Sequence, residues 1–360
     1  MKVVSVVGAR PQFVKLAPIA HALQAAGHEH VIVHTGQHYD PNLSDVFFSG
    51  LGIPESNIHL GIGSGSHGVQ TGALLTALDP VLESADPDWV LVYGDTNSTI
   101  AATLSAVKQH LPVAHLEAGL RSFNRRMPEE HNRVLTDHAA DLLLAPSDVA
   151  MRHLADEGLS DRARLVGDVM VDVCLQIRDA VLASEQPAST TSHPIGGPYL
   201  LATLHRPDNT DDPARLAALI ESLAALPLPV LLLAHPRLVT RATAAGISLT
   251  QGSITQSSPL PYRELVTAVL GSVGVITDSG GLQKEAFLLR RPCTTLRTET
   301  EWVETVELGW NVLLPDPHLL DPQKWIQLPQ RRCVETEAAP YGSGHAAAAV
   351  VECLAGEIRR

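Results

Sequence analysis

The chain has 360 residues, of which 45% are hydrophobic and 18% are charged, and its formal net charge at pH 7 is −13. This length suits two globular domains, and the acidic balance argues against nucleic acid or an anionic membrane surface as the main partner. No uncharged apolar run approaches the roughly 20 residues of a membrane-spanning helix, and the 4 widely spaced cysteines suit reduced thiols and a cytoplasmic location.

Short apolar, β-branched runs recur along the chain and predict buried strands. They lie at residues 3–7, 30–34, 89–93, 113–116 and 142–145, and again at 199–204, 230–233, 273–277 and 293–296. Segments with helical spacing lie between them, including residues 16–25, 100–109, 214–226 and 281–289. This alternation predicts an α/β fold with two doubly wound parallel sheets, which face each other across a cleft.

One segment rich in Ser, Thr, Pro and Gly, residues 183–198, predicts a linker or long loop between the two series of strands. The predicted domains are therefore residues 1–182 and 199–344. The remaining segment, residues 345–360, is expected to form a helix that could pack on either domain, including back on the first.

Reactive side chains follow the predicted strands of the first domain, at the sheet edge where open α/β sheets bind ligands. Arg10 and Lys15 come after the first strand, Asp95 after the strand at residues 89–93, and Glu117 after the next one. Since an unpaired buried carboxylate is costly, Glu117 in its apolar surroundings is the least easily explained of the four.

Structural explanations for these residues remain open. Asp95 and the Thr, Asn and Ser that follow it could form a helix N-cap cluster, and Glu117 could form an ion pair with Arg121 or Arg133. Glu129 lies four residues before Arg133, so these two could pair along a helix.

In the second domain, histidines follow two of the predicted strands. His205 comes after the strand at residues 199–204, and His235 comes soon after the strand at 230–233. A cap at the end of a strand is the structural explanation of His205. Acids on one domain and cations on the other favour a shared functional role.

The most informative segment is residues 277–285, which connects an apolar strand to a helical pattern. Ser279 can cap this helix, while Gly280 and Gly281 allow a ligand close to the backbone. Exposed amides at a helix start favour an anion such as phosphate, and Glu285 lies one turn further along. A simple N-cap and tight turn would explain the same residues.

Together, the acids and the phosphate-binding turn suggest acid–base chemistry on a sugar joined to a good leaving group. The first turn lacks Gly-x-Gly-x-x-Gly and no P-loop motif occurs, which disfavours nicotinamide-dependent oxidation and P-loop phosphoryl transfer. The 17 histidines form no metal-binding spacing, so no metal is expected.

Over nearly its full length, the sequence resembles the non-hydrolysing UDP-N-acetylglucosamine 2-epimerases. The matching segments are GARP (8–11), GDT (94–96), HLEAGLR (115–121), PEExNR (128–133), HR (205–206) and TDSGGxQxE (277–285), where x is a position outside the match. The resemblance implies two Rossmann-like domains arranged as in GT-B glycosyltransferases, no cofactor, a UDP-sugar substrate and a homodimer.

The resemblance also implies a mechanism, in which UDP and the proton at carbon 2 are eliminated to give a 2-acetamidoglucal and UDP then re-adds. It implies catalytic roles for Asp95, Glu117, Glu129 and His205. It further implies that Glu285 binds the nucleotide ribose. The remaining substrate and UDP ligands would be Arg10, Lys15, Arg133, His235, Ser279, Gly280 and Gly281.

Some segments depart from the common family pattern. Gln12, His235 and Trp302 resemble a branch that includes epimerases of modified sugars such as UDP-2,3-diacetamido-2,3-dideoxyglucuronic acid. Residues 37–45 differ from the segment that forms an activating UDP-sugar site in some members, so that regulation is not expected here. A hydrolysing 2-epimerase, a GT-B glycosyltransferase and a non-catalytic nucleotide-sugar sensor are the alternative functions.

Overall fold

The computed structural model describes residues 1–36, 56–63, 65–183, 195–319 and 321–357, apart from the side chains at positions 10, 11 and 319. The chain divides into two compact units. Unit 1 comprises Met1–Val173 and Ala339–Arg360, and unit 2 comprises Cys174–Ala338. The predicted linker lies largely outside the described residues, and the domain limits proposed from the sequence stay predictions.

Unit 1 contains a parallel sheet whose described strands are β1 (Lys2–Val7), β2 (Glu29–His34), β3 (Ile58–His59), β4 (Trp89–Tyr93), β5 (Val113–Leu116), β6 (Leu142–Ala145) and β7 (Ala163–Leu165). Their order across the sheet is β3-β2-β1-β4-β5-β6-β7. The helices that follow them are α1 (Arg10–Ala25), α2 (His67–Ala85), α3 (Asn97–Lys108), α4 (Pro128–Ala139) and α5 (Asp148–Asp156), with a 3-10 turn at Ser160–Arg162. The next helix, α6 (Val169–Ala183), begins in unit 1 and continues into unit 2.

Strand β1 shows why this sheet needs helices on both faces. Its apolar side chains are fully buried and alternate between two hydrophobic clusters. Val3 and Val7 belong to the cluster that includes α1, while Val4 and Val6 belong to the cluster that includes α2 and α3. Because successive strand residues point to opposite faces, a strand with apolar side chains on both faces requires cover on each side.

Unit 2 contains the second parallel sheet, formed by β8 (Leu200–Leu204), β9 (Val230–Ala234), β10 (Ile254–Ser257), β11 (Gly274–Thr277), β12 (Cys293–Thr295) and β13 (Asn311–Leu313). Their order is β10-β9-β8-β11-β12-β13. The helices of this unit are α7 (Pro207–Thr210), α8 (Pro213–Ala224), α9 (Pro236–Ala244), α10 (Tyr262–Gly271), α11 (Gly280–Leu288), α12 (Val303–Glu307) and α13 (Pro322–Gln327), with 3-10 turns at Pro317–Leu319 and Leu328–Gln330.

Both sheets reverse their strand order at one point. In unit 1 the reversal lies between β1 and β4, and in unit 2 it lies between β8 and β11. Ligands of open α/β sheets bind outside the carboxyl ends of the strands at such a point. The loop after β4 presents Asp95, and the loops after β8 and β11 present His205 and Ser279.

The predicted α/β fold with two parallel sheets is confirmed, and each predicted strand overlaps an observed one. The prediction missed β3, β7, β10 and β13, which are the two edge strands of each sheet. Edge strands are shorter and partly exposed, so they lack the continuous apolar run that identifies a central strand. Within the described part of the chain, no helix combines the length and hydrophobicity that a bilayer crossing requires.

The chain returns to unit 1 with its last described helix, α14 (Ala346–Gly356). This helix packs on α1, and the indole Nε1 of Trp89 donates a 3.0 Å hydrogen bond to the carbonyl of Leu354. At its start, the backbone amides of Ala346 and Ala347 donate to the two carboxylate oxygens of Asp172, over 3.0 and 2.8 Å. Asp172 on α6 therefore supplies the cap for a helix that has no side-chain cap of its own.

Replacing Asp172 with alanine is expected to lower the free energy of unfolding by about 1–3 kcal/mol, because two helix-start amides lose their acceptor. Urea unfolding followed by circular dichroism would measure the change. Asp179→Ala is the matched control, since this exposed carboxylate lies on the same helix and pairs only at the surface with Arg178; it should change stability by less than about 0.5 kcal/mol. Equal stability of the two variants would contradict the capping role.

Candidate active site

Asp95 lies at the carboxyl end of β4, directly before the helix α3. The N-cap cluster that the sequence indicated at residues 95–98 does start this helix, but the capping residue is Thr96, whose hydroxyl accepts from the amide of Thr99. The carboxylate of Asp95 instead pairs with the guanidinium of Arg133. Because Thr96 occupies the capping position, Asp95 is available for an ion pair in the ligand-binding loop.

Gln12 ties the loop after β1 to the end of β4. Its side-chain oxygen accepts from the amides of Gly8 and Ala9 at 2.8 and 3.0 Å, and its side-chain nitrogen donates to the carbonyl of Tyr93 at 2.7 Å. The side chain is almost fully buried. An amide suits this position because it offers both an acceptor and a donor.

Glu117 follows β5 with a backbone φ of +70°, a left-handed conformation that is uncommon for a residue with a side chain. Its amide donates to the carbonyl of Leu144 at 3.1 Å, and its carboxylate pairs with the ammonium of Lys15. A Cβ added to Gly94 would lie 3.3 Å from this carboxylate. Glycine at position 94 therefore lets the loop after β4 pass close to the Lys15–Glu117 pair.

Lys15 remains a cation in this environment. Burial alone would lower the pKa of its ammonium, but the carboxylate of Glu117, with further contributions from Asp168 and Asp95, raises that pKa above the ordinary value. The ammonium therefore balances negative charge at the carboxyl edge of the sheet.

The expected alternative that pairs Glu117 with Arg121 is wrong. Arg121 binds the carboxylates of Asp137 and Glu157, both at 2.7 Å. The second explanation, an ion pair between Glu117 and Arg133, is also wrong. The ion pairs of Arg133 are with Asp95 and with a residue on the same helix.

The residue that pairs with Arg133 on α4 is Glu130. The predicted pair between Glu129 and Arg133 is therefore also wrong. Glu130 is buried, and it accepts from the amides of Ser122 and Phe123 at 3.0 and 2.9 Å. It therefore fixes the loop before α4. Glu129 is partly exposed in the first turn of the same helix.

Arg133 on α4 is a buried cation that pairs with both Asp95 and Glu130. Burial acts to lower the pKa of its guanidinium, but the charges of Asp95, Glu130 and Glu117 outweigh burial and raise it. Unit 1 thus brings Asp95 and Glu117 together with the cations of Lys15 and Arg133.

In unit 2, the fully buried Asp278 organises the loop after β8. Its carboxylate accepts from the backbone amides of His205 and Arg206 at 3.1 and 3.0 Å, and from the side-chain amide of Asn209 at 3.1 Å. The imidazole Nδ1 of His205 also lies 3.2 Å from this carboxylate, while the His205 side chain stays 41% exposed. Asp278 therefore fixes the backbone of His205, while the imidazole of His205 remains accessible to solvent.

Helix α11 begins where the sequence predicted an anion site. Ser279 occupies the N-cap position, but the predicted side-chain cap is wrong because its hydroxyl makes no capping hydrogen bond. Gly281 has open space where a Cβ would point, and a Cβ on Gly280 would lie 3.4 Å from the carboxylate of Glu301. The backbone amides at this helix start therefore donate to no capping side chain, and an anion could accept from them.

Glu301 supplies negative charge beside the same helix start and is compensated by two arginines. Its carboxylate lies 2.8 Å from the guanidinium of Arg297 and 3.6 Å from that of Arg206. Burial would raise the pKa of Glu301, but Arg297 and then Arg206 lower it, so the carboxylate stays ionised. Its two partners therefore limit its repulsion of an anion at the helix start.

Glu285 lies one turn into α11 and is only 7% exposed. Its charge acts on Tyr262, because burial and then the carboxylate of Glu285 raise the pKa of the phenol. Glu285 and burial raise the pKa of the Cys174 thiol in the same way. The carboxylate thus sits among neutral polar groups of unit 2.

His235 is the N-cap of α9, where its Nδ1 accepts from the amide of Arg237 at 3.2 Å. Its ring centroid lies 6.1 Å from that of His205, so the two predicted histidines are neighbours. Arg10 begins α1, but its side chain lies outside the described part of the chain, as do residues 37–45. Among the described residues, no three side chains of His, Cys, Asp or Glu gather as metal ligands.

Sequence reasoning did not assign a role to several residues that hold the loops in place: Gln12, Glu130, Asp137, Asn209, Asp278 and Glu301. Asp278 stood inside the informative segment, and a carboxylate directly at the end of a buried strand was a usable signal. No comparable signal distinguished Glu130 from Glu129, since both are acids at the start of one helix.

Comparison with known proteins identifies the chemistry associated with this arrangement. Residues 21–355 match the family model described as UDP-N-acetylglucosamine 2-epimerase. The UDP-2,3-diacetamido-2,3-dideoxy-D-glucuronate 2-epimerase of Pseudomonas aeruginosa is 41% identical over 366 residues, which cover 99% of each chain.

Solved structures give the same result. The crystal structure of Methanocaldococcus jannaschii UDP-GlcNAc 2-epimerase in complex with UDP-GlcNAc and UDP is 36% identical and has a TM-score of 0.87, over 99% of this chain and 100% of that one. The calicheamicin glycosyltransferase CalG4 is 14% identical with a TM-score of 0.57 over both full chains, a likeness that shows the GT-B-like fold alone. The family match over residues 21–355 and the similarity to these relatives over nearly the full chain show that the chain belongs to the UDP-N-acetylglucosamine 2-epimerase family.

Proposed function

We propose that the protein epimerises carbon 2 of a UDP-2-acetamido sugar without a redox cofactor and without releasing UDP. The observation that supports this most directly is the pairing of two partly exposed carboxylates, Asp95 and Glu117, with Arg133 and Lys15 at the switch point of unit 1. Such carboxylates can accept and return a proton while the neighbouring cations balance their charge.

The reaction proceeds by elimination and re-addition. In the first half, the bonds from carbon 2 to hydrogen and from carbon 1 to the UDP oxygen break. UDP leaves with the electron pair, a double bond forms between the two carbons, and a carboxylate takes the proton. In the second half UDP re-adds to carbon 1, and a protonated acid delivers hydrogen to the opposite face of carbon 2.

Carboxylates are suited to this chemistry for a second reason. Carbon 2 is not adjacent to a carbonyl, so its proton becomes acidic only as positive charge develops at carbon 1. Negative charge from Asp95, Glu117 and Glu129 stabilises that developing charge. We assign these three acids and His205 to the chemical step.

Unit 2 binds the nucleotide in this proposal. The helix start at Ser279, Gly280 and Gly281 holds the diphosphate through its amides, since no side chain caps it. Glu285 accepts hydrogen bonds from the ribose hydroxyls. The other ligands of the UDP-sugar are His205, His235, Arg10, Lys15 and Arg133.

For the sugar itself, we propose UDP-N-acetylglucosamine or a modified relative. The relative from Pseudomonas aeruginosa that shares 41% identity is named for a 2,3-diacetamido uronic acid substrate. A homodimer is also proposed. Four free thiols, on Cys174, Cys293, Cys333 and Cys353, accord with the proposed cytoplasmic location.

The proposed function is tested by incubating the pure protein in heavy water with a panel of UDP-2-acetamido sugars. Deuterium at carbon 2 of the recovered UDP-sugar, together with the epimer and little free UDP, is the expected result. Stoichiometric free UDP with free sugar would identify a hydrolysing epimerase. Absence of deuterium with every sugar of the panel would exclude 2-epimerisation of these sugars and leave a binding role or glycosyl transfer.

Glu117→Gln and Asp95→Asn are each expected to lower kcat by roughly 10²–10⁴-fold, because each variant removes a carboxylate that stabilises charge and moves a proton. UDP affinity should change little, since the nucleotide is bound mainly by unit 2. Exchange at carbon 2 and UDP titration calorimetry measure the two quantities. Glu83→Gln, an exposed acid-to-amide change on α2, is the control and should keep wild-type kcat; wild-type exchange in both test variants would contradict the assignment.

Glu285→Ala is expected to weaken UDP binding by about 10- to 100-fold, since hydrogen bonds from the ribose to a charged acceptor contribute about 1.5–3 kcal/mol. Calorimetric titration with UDP, and with UMP as the smaller ligand, would measure the loss. Glu221→Ala on the exposed face of α8 is the control in the same unit. Equal UDP affinity of the Glu285 variant and the control would remove the ribose role.

A further inference from the structure

His115 on β5 and Asp137 on α4 form a fully buried pair of side chains next to the loops that carry Asp95 and Glu117. The imidazole Nδ1 of His115 is 2.6 Å from a carboxylate oxygen of Asp137, and both side chains are 0% exposed. The opposite ring nitrogen, Nε2, is 2.7 Å from the carbonyl oxygen of Gly94. The imidazole thus bridges the carboxylate of Asp137 and the backbone of Gly94.

The other carboxylate oxygen of Asp137 holds the loop after β5. It accepts from the backbone amide of Gly119 at 3.0 Å and lies 2.7 Å from the guanidinium of Arg121. Burial would raise the pKa of Asp137, but His115 and Arg121 outweigh it and lower that pKa. The carboxylate therefore stays ionised with a donor at each oxygen.

The hydrogen bonds of His115 and Asp137 involve each of the three segments that carry a proposed catalytic acid. Gly94 directly precedes Asp95, and His115 and Gly119 lie on either side of Glu117. Asp137 is on the same helix as Glu129. The buried pair thus joins the loop after β4, the loop after β5 and the helix α4.

The hydrogen bonds around Asp137 matter most for Glu117, because the backbone of Glu117 is in the left-handed region. A residue with a Cβ at a φ of +70° costs about 1–2 kcal/mol relative to the right-handed region. Such a conformation persists only where surrounding contacts enforce it. Asp137 enforces it through hydrogen bonds to residues on both sides of Glu117.

We propose that His115 and Asp137 are positioning residues that hold Asp95 and Glu117 in their reactive geometry. This inference rests on the proposed epimerase reaction. Neither residue contacts the substrate, because both side chains are fully buried. Their effect on the chemical step therefore passes through the two loops.

Asp137→Asn tests the link to Glu117. Only the side-chain oxygen of Asn can accept a hydrogen bond, so Asn cannot serve the donors at both oxygens of Asp137. The loop after β5 should therefore loosen, and kcat should fall by about 10²-fold, as for a displacement near 1 Å. KM and UDP affinity should stay within about threefold of wild type. In the Glu117→Gln background, the further loss caused by Asp137→Asn should be at least tenfold smaller, because the residue it positions is already inactive.

His115→Asn tests the link to Asp95. Asparagine can keep a donor toward Asp137 but cannot reach Gly94, so the loop after β4 loses its contact. Its effect on kcat should shrink in the Asp95→Asn background and stay nearly full in the Glu117→Gln background. This second variant also keeps the proposal testable when Asp137→Asn fails to fold.

A stability control separates positioning from simple destabilisation. Leu82→Ala removes a fully buried side chain from α2, lowers stability by about 2–5 kcal/mol and should leave kcat of the folded enzyme unchanged. Wild-type kcat in both test variants would overturn the positioning role. Losses that multiply fully when Asp137→Asn is combined with Glu117→Gln, or when His115→Asn is combined with Asp95→Asn, would overturn it as well. The same holds if Leu82→Ala reproduces the losses of the single variants. Absence of carbon-2 exchange in the wild-type protein would instead refute the proposed function itself.

Discussion

A carboxylate withdrawn from water is costly unless a cation or hydrogen-bond donors compensate it, and this constraint shapes both units of the protein. In unit 1 the ammonium of Lys15 pairs with Glu117 and the guanidinium of Arg133 pairs with Asp95. In unit 2 Arg297 pairs with Glu301. The acids can therefore stay ionised at the carboxyl edges of parallel sheets, where ligands bind.

Strand order determines where this chemistry can occur. Neighbouring strands on the two sides of a reversal send their following helices to opposite faces, which leaves a crevice at their carboxyl ends. Asp95 follows β4, one of the two strands at the reversal in unit 1, and His205 and Ser279 follow the two strands at the reversal in unit 2. The topology of each sheet thus gathers residues that are distant in sequence.

The central strands were predictable because their side chains are buried on both faces, so residues 3–7 are all valine except for the buried Ser5. The edge strands were not, since β3 and β13 are short and only partly buried. The positions of Asp95 and Glu117 at the ends of strands followed from the same pattern. Their partners did not, because the choice of Lys15 over Arg121 for Glu117 depends on side-chain directions after folding.

The acids fall into two groups that differ in how many donors surround them. Asp137 and Asp278 are fully buried, and each accepts from several groups of the neighbouring loops. A carboxylate whose oxygens are all occupied fixes the backbone but is poorly placed to take a proton from a ligand.

Asp95 differs in this respect, since its side chain is 31% exposed and, among the described side chains, pairs with the guanidinium of Arg133. Glu117 is likewise paired with one ammonium. Each therefore keeps lone pairs free of the loop contacts, which a proton acceptor requires. In the proposed reaction, the fully bonded aspartates hold the loops and the less occupied acids act on the sugar.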